Sequence, residues 1–232
     1  MVWYKVSLAS AAQKLTQPFV MSKIAQVDHF AVYFYLCSGV VARHSHSTND
    51  ELFYVYRGLL SLDTDWGPST LGEHECAVVP RGVGHSSGSV LETLVLLFQA
   101  QGEPERRNGH GRLSAEERRD TLPKYGPLEE AARLSRPFAP LPLAQVDEMS
   151  LRVLWAEGET RWHLHTAHDE LLWVIEGGLE VSCELGPLKV AQDELVVVPR
   201  GRIHRLVSKE YTVVVSLIHG EVAPERQMEP SD

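Results

Sequence analysis

The chain has 232 residues, 44% hydrophobic and 23% charged, which excludes a disordered or fibrous polymer. That length suits one large β-domain or two cores of 116 residues each. Lys and Arg number 22 against 31 Asp and Glu, and the net charge of −9 argues against nonspecific binding to nucleic acid or an anionic membrane. From the start, Ser7–Leu15 predicts a short helix. Phe30–Ser38, Leu52–Tyr56, Ala77–Val79 and Leu94–Phe98 predict strands, rich in aromatic or branched residues and punctuated by Gly and Pro. Glu103–Arg136 holds eight Lys or Arg and seven Asp or Glu and reads as a solvated connector. Within it, Ser114 and Glu117 fit a capping box for a helix to about Asp120. Pro127–Leu134 predicts a second short helix. Leu151–Glu157, Leu171–Ile175, Leu195–Val198 and Thr212–Leu217 follow as strands, and 221–232 as a polar tail.

Cys37, Cys76 and Cys183 are odd in number and lack a C-x-x-C spacing, so they read as free thiols in a reducing compartment. No apolar run approaches the roughly 18–20 residues of a membrane span, and Val6–Ala12 is short and Ser/Ala-rich for a secretory segment. A cytoplasmic protein is the expectation.

The chain repeats itself once. Ala25-Gln26-Val27-Asp28 recurs as Ala144-Gln145-Val146-Asp147, an offset of 119. The same offset carries Pro18-Phe19 onto Pro137-Phe138, Gly58 onto Gly177, and Pro80-Arg81-Gly82 onto Pro199-Arg200-Gly201. Between His44–His85 and His163–His204, 17 of the 42 paired positions are identical, without insertion or deletion. This is a tandem duplication. The expected division is 1–102, a connector 103–123, 124–220, and the tail.

One four-residue set occurs in both copies. His44 and His46 lie two apart, so on a strand both imidazoles face one side. Glu51 follows, and a hairpin can return His85 to the pair. The second copy repeats the set as His163, His165, Glu170 and His204. Three imidazoles and a carboxylate converging in a dry interior make a metal site, because a buried glutamate is costly to keep ionised without a cation. Asp50 and Asp169 read as turn or hydrogen-bonding residues, with proton transfer as the lesser alternative, Arg81 and Arg200 as structural, and His168 as a loop histidine. Phe53 and Leu172 are expected to wall the pockets, with Tyr54 and Trp173 facing the other way. Arg43 against Trp162 and Gly84 against Ile203 also distinguish the two walls.

These motifs resemble the cupins. His44-Ser45-His46, four residues, Glu51, six residues and Gly58 match the first cupin motif, as do His163-Leu164-His165, Glu170 and Gly177. Pro80-Arg81-Gly82-Val83-Gly84-His85 and Pro199-Arg200-Gly201-Arg202-Ile203-His204 match P-x-G-x-x-H in the second. Three positions depart from the pattern. Gly39 and Gly158 stand one residue closer to the first histidine, His74 and Asp193 replace a glycine, and Ser89 and Ser208 replace a terminal asparagine. The resemblance implies an all-β compact bicupin of cupin-2 type. It would be two double-stranded β-helix (jelly-roll) barrels with short helices at the start of each repeat and in the connector. It also implies one divalent transition metal in each barrel, iron first, with Mn, Ni, Zn or Co as options.

Such a site leaves about two of six octahedral positions open. Three functions fit: an oxygenase resembling cupin dioxygenases acting on a small chelating substrate, a non-redox sugar or sugar-acid isomerase, or a non-catalytic binding protein. The expected partners are a small molecule and a second copy in a homodimer, with neither nucleic acid nor membrane.

Overall fold

In the computed structural model, which describes residues 5–102, 106–109, 120–220 and 226–227, the chain is all-β. No helix among these residues is long and apolar enough to cross a membrane. The chain forms two units, Ser10–Gly126, and Pro127–Asp232 together with Met1–Ala9. Each carries one ten-stranded sheet.

In the first unit, strands Ser22–Val27 and Phe30–Val40 form a hairpin whose loop begins at Asp28, φ 50°. Leu141–Val146 and Met149–Glu159 repeat it in the second unit with Asp147 at φ 47°. A two-residue hairpin loop favours a left-handed residue, and Asp tolerates that conformation. This accounts for the aspartate of the repeated Ala-Gln-Val-Asp string. His74 and Asp193, φ 60° and 62°, likewise fill left-handed turns, which is why a non-glycine there leaves the fold intact.

The expected strands Leu94–Phe98 and Thr212–Leu217 are only parts of two 16-residue strands, His85–Ala100 and His204–His219. The Ser/Gly-rich start of the first looks like a loop in sequence but is paired on both sides. Gly88 lies between Val40 and Ser61, while Leu94–Phe98 lies between Phe30–Val40 and Glu51–Arg57. Val90–Glu92 is exposed where the strand passes from one neighbour set to the other.

Both helices are shorter than expected, Leu8–Ala12 and Pro127–Ala131, each closed by tight turns that end at Leu15 and Leu134. The residues ahead of them are strands. Lys5–Ser7 pairs with Glu194–Val196 in the second unit, and Lys124–Tyr125 pairs with Cys76–Ala77 in the first. The division therefore differs from 1–102 and 124–220 at its ends. Each sheet edge acquires a short strand that satisfies backbone groups it would otherwise leave bare.

The connector and tail each contribute a short strand. Arg106–Asn108 pairs with His44–His46, and Arg226–Gln227 pairs with His163–Leu164. The expected helix from Ser114 lies outside the described residues, apart from Asp120. Each unit has its own core, one including Tyr35, Phe53, Trp66 and Leu97, the other including Leu154, Leu172, Val196 and Val214.

Candidate metal centres

Both four-residue sets assemble. His44 and His46 lie on the short strand His44–His46, His85 opens the long strand opposite His44, and Glu51 opens the strand Glu51–Arg57 opposite Val79. His163, His165, Glu170 and His204 hold equivalent places, with His163 opposite His204. Within each set, one ligand atom per residue lies within 4.8 Å of all the others.

Four of the six imidazoles are aimed by the backbone. His44 Nδ1 donates to Ala42 O at 2.9 Å, and His85 Nδ1 to Val83 O at 3.2 Å. His163 Nδ1 donates to Arg161 O at 2.9 Å, and His204 Nδ1 to Arg202 O at 3.0 Å. A carbonyl can only accept, so each Nδ1 carries a proton, and in the neutral ring Nε2 then presents a lone pair inward, as metal ligation requires. His46 Nε2, His85 Nε2 and Glu51 Oε2 are buried with no hydrogen bond of acceptable geometry, although Glu51 Oε2 lies 3.3 Å from His46 Nε2 and 2.9 Å from His85 Nε2. His204 Nε2 is also buried without one, and His165 Nε2 lies 3.2 Å from Glu170 Oε2. Converging donors without protons to share fit a divalent cation.

Burial alone would push both carboxyls up. The neighbouring His46 and His85 overcome it when their rings are charged and hold Glu51 at about 2, and a cation bound between them takes over that role. His165 and His204 hold Glu170 well below the usual carboxylate range in the same way. Both glutamates are thus anionic donors at neutral pH. The rear histidines are sealed, His85 at 1% and His204 at 0% exposure, whereas the His165 and Glu170 side chains reach 13% and 12%. Solvent therefore reaches the second centre on its His165–Glu170 side.

The supporting contacts repeat as well. Asp50 Oδ1 accepts from Arg81 N, and Asp169 Oδ1 from Arg200 N, both at 2.9 Å. Gly82 N donates to His46 O, and Gly201 N to His165 O, both at 2.6 Å. The aspartates thus fix the loop ahead of each glutamate to the Pro-Arg-Gly turn. Phe53 packs edge-on to His85 at 6.0 Å, as a pocket wall should, while Tyr54 and Trp173 are fully buried.

Arg43 is a brace rather than a pocket wall. Its guanidinium donates to Asp63, to Asp65 and to Gly84 O. Its counterpart Trp162 lies under Arg205 at 5.0 Å. His168 stacks on His219, centroids 4.2 Å apart, and is not a fifth member of the set. Tyr35, Cys37 and Ser87, buried on the inner side of the first unit, do not stand out in its motifs. The signal that finds them is the 119 offset, which sets them against Leu154, Ala156 and Leu206.

Residues 151–218 match the family model described as Cupin domain. No curated protein matches the chain by sequence. Among solved structures, a Cupin 2 conserved barrel domain protein from Leptotrichia buccalis aligns with TM-score 0.70 and 9% identity, covering 93% of this chain and 95% of that one. Salicylate 1,2-dioxygenase from Pseudaminobacter salicylatoxidans aligns with TM-score 0.73 and 10% identity, covering 94% of this chain and 84% of that one. The same enzyme as an adduct with gentisate aligns with TM-score 0.73 and 11% identity, covering 94% and 81%.

Proposed function

We propose that this chain, which belongs to the cupin superfamily, is a tandem bicupin whose barrels each hold one divalent transition metal, and that it acts as an oxygenase on a small chelating acid. The carrying observation is the set of backbone-anchored imidazoles aimed at a buried glutamate, present twice. Three neutral nitrogens and one carboxylate leave a divalent ion partly uncompensated, which favours an anionic substrate despite the chain's overall charge. The salicylate 1,2-dioxygenase neighbours share the fold and act on such an acid, which supports the choice of substrate class.

A bound iron or manganese ion would supply the electron chemistry of oxygenation. The chain's own side chains do the rest. Asp50 and Asp169 hold the loops that present Glu51 and Glu170. Phe53 and Leu172 exclude water from the inner wall. His44, His85, His163 and His204 are anchored at Nδ1 by their carbonyl partners, which leaves Nε2 as the ligand atom.

The test is anaerobic reconstitution with Fe(II), a metal count, and oxygen uptake with salicylate, gentisate and related small acids. Two ions per chain and acid-dependent oxygen consumption are expected. Two ions without oxygen uptake for any acid or metal would replace the oxygenase with non-redox isomerisation or binding. Failure to bind Fe, Mn, Ni or Zn would remove the metal assignment itself.

A further inference from the structure

The two units use the same backbone for different interiors. Tyr35 and Cys37 lie two apart on the strand Phe30–Val40, so they share a face, and both belong to the buried core of the first unit with Phe53. Ser87 follows His85 by two residues on the long strand, which puts it on the ligand's side. Tyr35 is 2% exposed and Ser87 4%, and the two share a hydrogen bond. Glu51 is close enough for its charge to act on the phenol. At the equivalent positions the second unit has Leu154, Ala156, Leu172 and Leu206, and every member of its core cluster is aliphatic.

The phenol and the hydroxyl satisfy each other in part, and they stand in an interior that the other copy fills with leucine, so the two interiors differ in what they can hydrogen-bond. Ser87 can donate to the phenol oxygen, which leaves the Tyr35 O–H to donate elsewhere. Burial, with the nearby charge of Glu51, holds the phenol well above its ordinary range, so it stays a donor.

We propose that Tyr35, supported by Ser87, positions an anionic oxygen of a chelating hydroxy acid at the first metal centre, and that the second centre binds metal without selecting this substrate. The assignment rests on the metal-binding reading above and specifies which centre selects the substrate.

The probe is salicylate, titrated anaerobically into the Co(II)-loaded full chain and read by the visible absorption of the metal. His165→Ala leaves only the first centre loaded, and His46→Ala only the second. The first should respond saturably, with the second at least about tenfold weaker, the worth of one hydrogen bond to a charged group. In the His165→Ala background, Tyr35→Phe keeps the ring, and should raise the salicylate Kd about tenfold while metal content and azide affinity stay unchanged. Azide needs only the metal, so equal loss of both ligands would mark Tyr35 as structural and overturn the proposal. An unchanged salicylate Kd, an equal response at the second centre, or no response at either would also overturn it. Ser87→Ala provides a second variant, with the same direction expected. Failure of Co(II) to bind at all is a separate outcome, seen in the metal count, and removes the metal reading instead.

Discussion

Gly58 closes the strand Glu51–Arg57 at φ 100°, and Gly177 closes Glu170–Glu176 at φ 84°. A Cβ on Gly58 would stand 2.6 Å from Thr93 Oγ1, and one on Gly177 2.5 Å from Thr212 Oγ1. Those threonines cannot easily give way. Thr93 Oγ1 accepts from Leu59 N and bonds Ser89 Oγ, and Thr212 Oγ1 accepts from Gly178 N and bonds Ser208 Oγ. The serines at the position where cupins usually have asparagine are thus part of the corner that the glycine approaches. Gly58→Ala or Gly177→Ala combines backbone strain with a clash and should cost about 2–4 kcal/mol, read by urea unfolding. Gly201→Ala is the comparison, because φ is 74° but the space around it is open, and it should cost about 1–2 kcal/mol. Equal losses would mean that strain alone decides, and that the Ser–Thr corner is not tight.

The short strands test what sequence patterning can reveal. Lys5–Ser7 is three residues long with no alternation to detect, and it runs directly into the helix Leu8–Ala12, so a helix starting at Ser7 was the natural reading. Its role comes from a distant partner, Glu194–Val196, 187 or more residues away, and a window along the chain carries no such information. The duplication does contain a trace of it: Lys124–Tyr125 sits 119 residues on, and the ion pairs Lys5–Glu194 at 2.7 Å and Lys124–Glu75 at 3.1 Å are equivalent. By contrast, His44, His46, Glu51 and His85 were legible because H-x-H spacing and a Pro-Arg-Gly turn are local. Tyr35 and Ser87 carry no such local rule, and only the comparison of the two copies at offset 119 marks them. Removing residues 1–7 should therefore raise amide exchange across Glu194–Val198 while leaving Cys76–Val79 protected. Hydrogen exchange followed by mass spectrometry reads this directly, and equal deprotection of both strands would reject the pairing as the cause.

The duplication gives each core its own donors. Within each of these two clusters the buried residues come from one stretch, Tyr35 to Leu122 in the first and Leu154 to Val214 in the second. A cation that binds only folded protein stabilises the unit that holds it, by about 2.7 kcal/mol when free metal is 100 times Kd. In a unit of this size that raises the melting temperature by roughly 10 °C. Calorimetry of the metal-free chain with added Mn(II) should then show the benefit unit by unit. In His165→Ala the second unit should lose its shift and the first keep it, and in His46→Ala the pattern should reverse. The thermogram separates independent sites from coupled ones. If either substitution abolished the whole metal-dependent shift, the two centres would be acting together, and the one-ion-per-core picture would have to give way to a single cooperative assembly.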